Sequence, residues 1–353
     1  MLLAAAACGQ PTAPPVAWSD ALRQPAAWYG QAEALRIAGN LLCWERACGG
    51  WPKNEDMAAR LSDADRAALA AKRDQLDATI DNGATHTQMA YLARVHTAQP
   101  DDRLLAAFNR GLDYLLAAQY ANGGWPQFYP LRRGYYTHIT FNDDAMVGVL
   151  RALQPIGDGA APYAFVDAER RARARAAVAK GIDCILACQV RVDGALTAWC
   201  AQHDEVTLAP APARSYELVS LSGAETVPIV RYLMSQAKTP AIVAAVEGAV
   251  AWLEKVKLTG IKVVQVTDPK LPGGRDRVVV DDPAAPPLWA RFYQIGTNQP
   301  IFCDRDGVAK ATLAEIGHER RNGYAWYTDR PRDLLAKELP VWRAREDGLG
   351  RPE

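Results

Sequence analysis

The chain has no excess of charge of either sign: 40 lysines and arginines face 40 aspartates and glutamates over 353 residues. That balance argues against a general nucleic-acid or membrane-surface binder, which would present a basic excess, and leaves only local patches to consider. No run approaches the roughly 20 apolar residues of a membrane span. None of the seven cysteines stands in a Cys-x-x-Cys pair with a histidine nearby, which disfavours a metal-thiolate site. The start, Met1-Leu2-Leu3-Ala4-Ala5-Ala6-Ala7-Cys8-Gly9, resembles the end of an export signal but lacks its basic beginning. It reads as a truncated signal or a lipoprotein signal with Cys8 at the cleavage point. Setting Cys8 aside leaves six cysteines, an even number compatible with disulfides in an oxidising compartment, with Cys43 and Cys48 placed to close a short loop.

What the chain does have is repetition. Leu41-Leu42 is followed, eight residues after Leu41, by Gly49-Gly50-Trp51-Pro52, and Leu115-Leu116 is followed at the same offset by Gly123-Gly124-Trp125-Pro126. A weaker third copy pairs Ile185-Leu186 with Asp193-Gly194 and aligns Gln189 with Gln119; a fourth sits near Leu253 to Gly260. A period of roughly 70 residues fits a pair of helices with loops, stacked as an array. Apolar residues at Leu104, Leu105, Phe108, Leu112, Leu115 and Leu116 fall at three-and-four spacing, as a helix requires. The glycines after each helix read as left-handed C-caps, and the prolines as stops. The expected fold is mainly α: an α/α toroid, an incomplete α/α barrel of repeated helical hairpins, with a few short strands and long loops. Residues 1–25 read as signal remnant and linker, and residues 26–353 as a single domain. Val263, Val264 and Val266, then Val278, Val279 and Val280, read as added strands.

Each long loop leads to a second helix with a polar start: Asn82-Gly83-Ala84-Thr85-His86, Thr140-Phe141-Asn142-Asp143-Asp144, and Ser220-Leu221-Ser222-Gly223. Such residues cap the free N–H groups of a first turn. In a toroid these starts share one rim, so carboxylates distant in sequence meet in one cleft. Asp81, Asn82, Asp143 and Asp144 offer hard oxygen ligands of the kind Ca²⁺ takes. His86, His138 and His203 are each open to a rim or a core role, with His138 the one expected to touch substrate. Trp51 and Trp125 read as ring packing at helix ends, with sugar stacking as the alternative. Arg132-Arg133 and Arg320-Arg321 read as solvated surface.

The run from Gly111 to Gln127, Thr140-Phe141-Asn142-Asp143-Asp144-Ala145-Met146, Trp289-Ala290-Arg291-Phe292-Tyr293, Cys303-Asp304-Arg305-Asp306-Gly307 and Glu319-Arg320-Arg321-Asn322-Gly323-Tyr324 resemble the pectate lyases of polysaccharide lyase family ten, in order over roughly residues 30 to 330. The resemblance implies a toroid with a broad cleft and Ca²⁺-assisted anti-β-elimination on polygalacturonate. It places metal ligands on Asp81 and Asp143, with Asn82 beside the first and Asp144 and Asp204 as further candidates. It places the base on Arg214, although a guanidinium is ordinarily always protonated. Arg291 and Arg305 are alternatives for gripping substrate carboxylates, with Asn142 and Tyr216 as further contacts. A monomer, secreted, periplasmic or at the cell surface, is implied.

Three other readings remain open at this level. A toroid glycoside hydrolase would use two carboxylates, such as Asp81 and Asp143, without a metal. A non-catalytic binding protein would only hold polysaccharide. Terpenoid cyclases and prenyltransferase subunits also carry Gly-Gly-Trp helix ends, but the acid-rich motif or zinc site they need is not evident.

Overall fold

The computed structural model describes residues 16–345; the signal reading with Cys8 lies outside the described residues. The molecule is an α/α toroid. Helices α1 (Ala32–Trp44), α3 (Asp102–Ala118), α5 (Ala168–Cys188) and α7 (Pro240–Lys255) pack in series as an outer layer, and α2 (His86–Ala98), α4 (Ala145–Asp158) and α6 (Thr226–Met234) as an inner one. Their apolar faces merge in one core. A smaller aromatic core, including Tyr216, Phe292, Phe302 and Trp326, stands beside it. Within the stretch read as a linker, Trp18–Ala21 is helical, and the Trp18 ring lies 5.3 Å from that of Tyr91. No described helix is long and apolar enough to cross a membrane.

Four buried tryptophans organise the repeat. Trp51, Trp125, Trp199 and Trp289 donate their indole N–H to the carbonyls of Leu41, Leu115, Ile185 and Leu253 near the ends of α1, α3, α5 and α7. Each thereby engages a carbonyl near the end of its helix, where intrahelical partners run out. Gln119 and Gln189 do equivalent work. Gln119 bonds Gly123 and, in the next outer helix, Ala177, while Gln189 bonds Thr197 and Ala245. Asp193-Gly194 is not the third helix-end turn. It is the tip of a small hairpin, Arg191–Val192 paired with Ala195–Leu196, and the counterpart of Trp125 is displaced beyond it to Trp199. In the fourth copy a longer hairpin, Ile261–Thr267 with Arg275–Asp281, displaces it to Trp289.

The glycines act differently from C-caps. Helices α1 and α3 end in extended residues, Glu45 and Gln119, and Gly49 and Gly123 lie several residues later at φ 91° and 90°. A Cβ there would come within 2.6 Å of the Arg110 carbonyl and 2.0 Å of the Lys180 carbonyl, so glycine is what lets each turn touch the next outer helix. The inner helices also start without side-chain caps. Thr85, expected to cap α2, instead accepts from Trp51 N–H at 3.1 Å and donates to the Thr79 carbonyl.

The six cysteines among the described residues are free. Cys184 and Cys188 lie one turn apart on α5 with sulfurs 4.0 Å apart, a contact of thiols and not the disulfide arrangement allowed for above.

Candidate active-site cleft

The rim is assembled by the turns around those tryptophans. The Trp51 carbonyl accepts from Thr79, that of Trp125 from Thr140 and that of Trp199 from Ser222; Thr328 pairs across from Trp289. The residue two places after a tryptophan holds the loop of the preceding repeat: Gln127 accepts from Ile80, Ala201 from Phe141 and Arg291 from Gly223. Each loop is thus suspended between its own turn and the next.

The loops carrying Asp81-Asn82 and Asn142-Asp143-Asp144 pack against each other. Asp81 is buried. Its Oδ2 accepts from the Lys53 ammonium and, at 2.6 Å, from Gln127 Nε2, while Oδ1 accepts from Asn82 N–H at 3.0 Å. Asn82 donates its side-chain amide to Asn54. Asp143 is more open and accepts from Asn142 Nδ2 at 2.7 Å. Asp144 pairs instead with Arg330 at 3.6 Å, and burial raises its carboxyl above the ordinary aspartate range.

A group of arginines begins at Asp143. Arg291 Nη2 reaches Glu225 at 2.5 Å, Asn142 Oδ1 at 3.0 Å and Asp143 at 3.4 Å, and its guanidinium lies 4.7 Å from the Tyr324 ring. Burial opposes its charge, but Glu225 together with Tyr324, Asp143 and Glu217 outweighs burial and holds Arg291 above the ordinary arginine value. Arg214 forms a two-pronged pair with Glu217, with Nε at 2.7 Å from Oε2, and Tyr324 donates to the same carboxylate at 2.7 Å. Burial again opposes the charge and Glu217 prevails, so Arg214 is held firmly protonated. Arg320 and Arg305 both bond Glu319 and lie 4.6 Å and 5.7 Å from the Tyr216 ring, which is also 5.0 Å from Arg214. Tyr216 is buried, a platform under three guanidinium groups. Arg320, read from sequence as solvated surface, is buried too, because its guanidinium is held over Tyr216.

Of the histidines, His203 is a core group: Nε2 accepts from Cys200 N–H and Nδ1 donates to the Leu208 carbonyl. Burial lowers it to about 4. His86, against Gly148, is lowered to about 4 by the same cause. His138 bonds Glu205 at 3.0 Å and, with Asp204, completes the one trio of histidine, cysteine or acidic side chains that converges among the described residues. Asp204 Oδ1 is already engaged by Val206 and Thr207 of its own loop, so the trio reads as a loop brace.

Two acid loops joined through Arg291 to a cluster of guanidinium groups are suited to holding a polyanion through its carboxylates. The sequence profile of the family described as pectic acid lyase matches residues 45–335. The chain belongs to that family. Among solved structures it is similar to the family 10 polysaccharide lyase from Cellvibrio cellulosa, with TM-score 0.76 and 34% identity over 90% of this chain and 96% of that one. An aspartate-to-alanine mutant of the same enzyme in complex with trigalacturonic acid gives TM-score 0.78 and 34% identity over 89% and 94%. No curated protein matches. The protein is therefore a polysaccharide lyase.

Proposed function

We propose that this polysaccharide lyase cleaves polygalacturonate by Ca²⁺-assisted anti-β-elimination, as a secreted, periplasmic or cell-surface monomer, with Arg214 as base. The observation that carries the reading is that Arg291 bonds Asp143, whose loop packs on that of Asp81, and lies over the Tyr324 ring beside Arg214, with Arg305 and Arg320 grouped with Arg214 about Tyr216. The similar Cellvibrio lyase held a galacturonate trimer, which supports the same polymer here.

The reaction removes a C5 proton that is weakly acidic because it lies α to a carboxylate. The donor set suits Ca²⁺ by its chemistry, since Asp81, Asn82 and Asp143 supply hard oxygens; Lys53 at Asp81 and Arg291 at Asp143 are the cations that a metal would have to share these carboxylates with. A bound Ca²⁺ supplies charge withdrawal from the substrate carboxylate, which stabilises negative charge as the proton leaves. Arg291, fixed by Glu225 and Asn142, is positioned to hold that carboxylate through charge-assisted bonds. Arg214 can accept a proton only once it has lost one of its own, and its pairing with Glu217 opposes that loss, so turnover should favour alkaline pH. A hydrolase would need one carboxyl to give up a proton. Asp81, receiving an ammonium, an amide and a backbone N–H, is arranged to accept.

The test is the ultraviolet absorbance of a 4,5-unsaturated uronate on polygalacturonate, with Ca²⁺ and with excess chelator. A calcium-dependent rise that Arg214→Ala abolishes, with the circular dichroism unchanged, is expected. Reducing ends without absorbance would mean hydrolysis, and neither signal would mean binding alone. Near-normal turnover by Arg214→Ala would remove it as base.

A further inference from the structure

The repeat singles out Lys53. It follows Trp51-Pro52 as Gln127 follows Trp125-Pro126 and Arg291 follows Trp289-Ala290. Gln127 and Arg291 send their side chains to the acid loops, and so does Lys53, whose ammonium bonds Asp81 Oδ2. With Gln127 on the same oxygen and Asn82 N–H on the other, Asp81 already accepts three donors, one of them a full positive charge. Asp81 is buried and Lys53 is part-buried, so water screens the pair poorly.

We propose that Lys53 is a tethered counter-cation that competes with a divalent metal for Asp81 and so sets the metal affinity of the substrate-free cleft. This rests on the reading of Asp81, Asn82 and Asp143 as the metal-holding set. A divalent ion taking Asp81 must either displace the ammonium or sit beside a like charge, and both penalties fall on metal binding. Lys53 has a second role as well. It keeps a buried carboxylate compensated when no metal is there, which an apolar residue could not do.

The experiment is calorimetric titration of the substrate-free protein with Ca²⁺, repeated with Tb³⁺ and read by tryptophan-sensitised luminescence. Lys53→Met, which keeps the stem and removes the charge, should bind about tenfold more tightly than the parent, while Lys53→Arg stays within about twofold. Lys53→Gln serves as the neutral variant if Lys53→Met fails to fold. Unchanged or weaker binding by a folded neutral variant overturns the proposal. Asp143→Ala separates the two readings. If it abolishes the titration while the Lys53 variants match the parent, the metal site stands and the competition does not. If the parent shows no titration that depends on Asp143, the metal reading falls and this proposal with it.

Discussion

Residues 80–83 and 141–144 follow one backbone path but carry their acids one position apart. Ile80 and Phe141 enter at φ −101° and −96°, and Asn82 and Asp143 then sit in the left-handed region at φ 51° and 50°. Gly83 and Asp144 follow, also at positive φ. In the first loop the acid precedes the left-handed residue, and Asp81, with 4% of its side chain exposed, is fixed by Lys53 and Gln127. In the second the acid occupies the left-handed position, and Asp143 has 43% of its side chain exposed. Asn142, at the place of Asp81, has become a bridge between Asp143 and Arg291. Shifting an acid by one residue on a fixed turn converts a clamped carboxylate into an accessible one.

Asp143 should therefore carry the larger functional effect. Asp143→Ala is expected to lower turnover on polygalacturonate about 10²–10³-fold, measured as unsaturated product, and to weaken the calcium dependence with it. Asp143→Asn, which tolerates the left-handed backbone, should lose nearly as much; activity close to that of the parent would mean the turn and not the charge matters. Asp81→Asn should cost less, about tenfold, because the amide oxygen can still accept from Lys53 and Gln127 at the place of Oδ2, and only the Asn82 N–H loses its acceptor. A larger loss than for Asp143→Ala would invert the comparison.

The loops also differ in their support. The strand carrying His203 pairs with Ile139 and Thr140 and backs only the second. Because His203 is lowered to about 4 when folded, the unfolded chain binds its proton first on acidification. Stability should fall as pH drops from about 6.5 to about 4, by on the order of 2–3 kcal/mol. Urea midpoints across that range should move less in a folded His203→Asn variant; an equal slope would place the acid sensitivity elsewhere. The smallest effect on stability is that of Asn82→Ala, which should cost about 1 kcal/mol through its left-handed backbone, seen as a Tm lowered by about 2 °C. Asn82→Gly should cost less.

Much of this architecture was legible because Gly-Gly-Trp-Pro recurs with little change in the first two repeats. The third and fourth tryptophans were hidden by hairpins of different length inserted before them, and by Ala198 and Cys200 or Leu288 and Ala290 in place of glycine and proline. At the rim, Asp81, Asn142, Asp143, Arg214 and Arg291 stood out in polar, aromatic segments, and their expected roles came from the family resemblance. Lys53, Gln127, Glu217, Glu225 and Arg320 could not be given roles, because theirs come from partners and packing that only folding supplies. Arg320-Arg321 looked like surface because two adjacent charges usually are, yet Arg320 is held over Tyr216 and Arg321 on Asp276. One signal was available: the place two after each tryptophan, which the repeat aligns.

The suspension of each loop between consecutive turns makes the rim a chain of shared supports. Freeing the Trp125 turn releases Thr140 from its carbonyl and Ile80 from that of Gln127, so neither loop can open without disturbing its neighbour. In amide hydrogen exchange, the N–H groups of Thr79, Ile80, Thr140, Phe141, Ser222 and Gly223 should behave as one cooperative unit, opening together and well after the exposed hairpin at Ile261–Asp281.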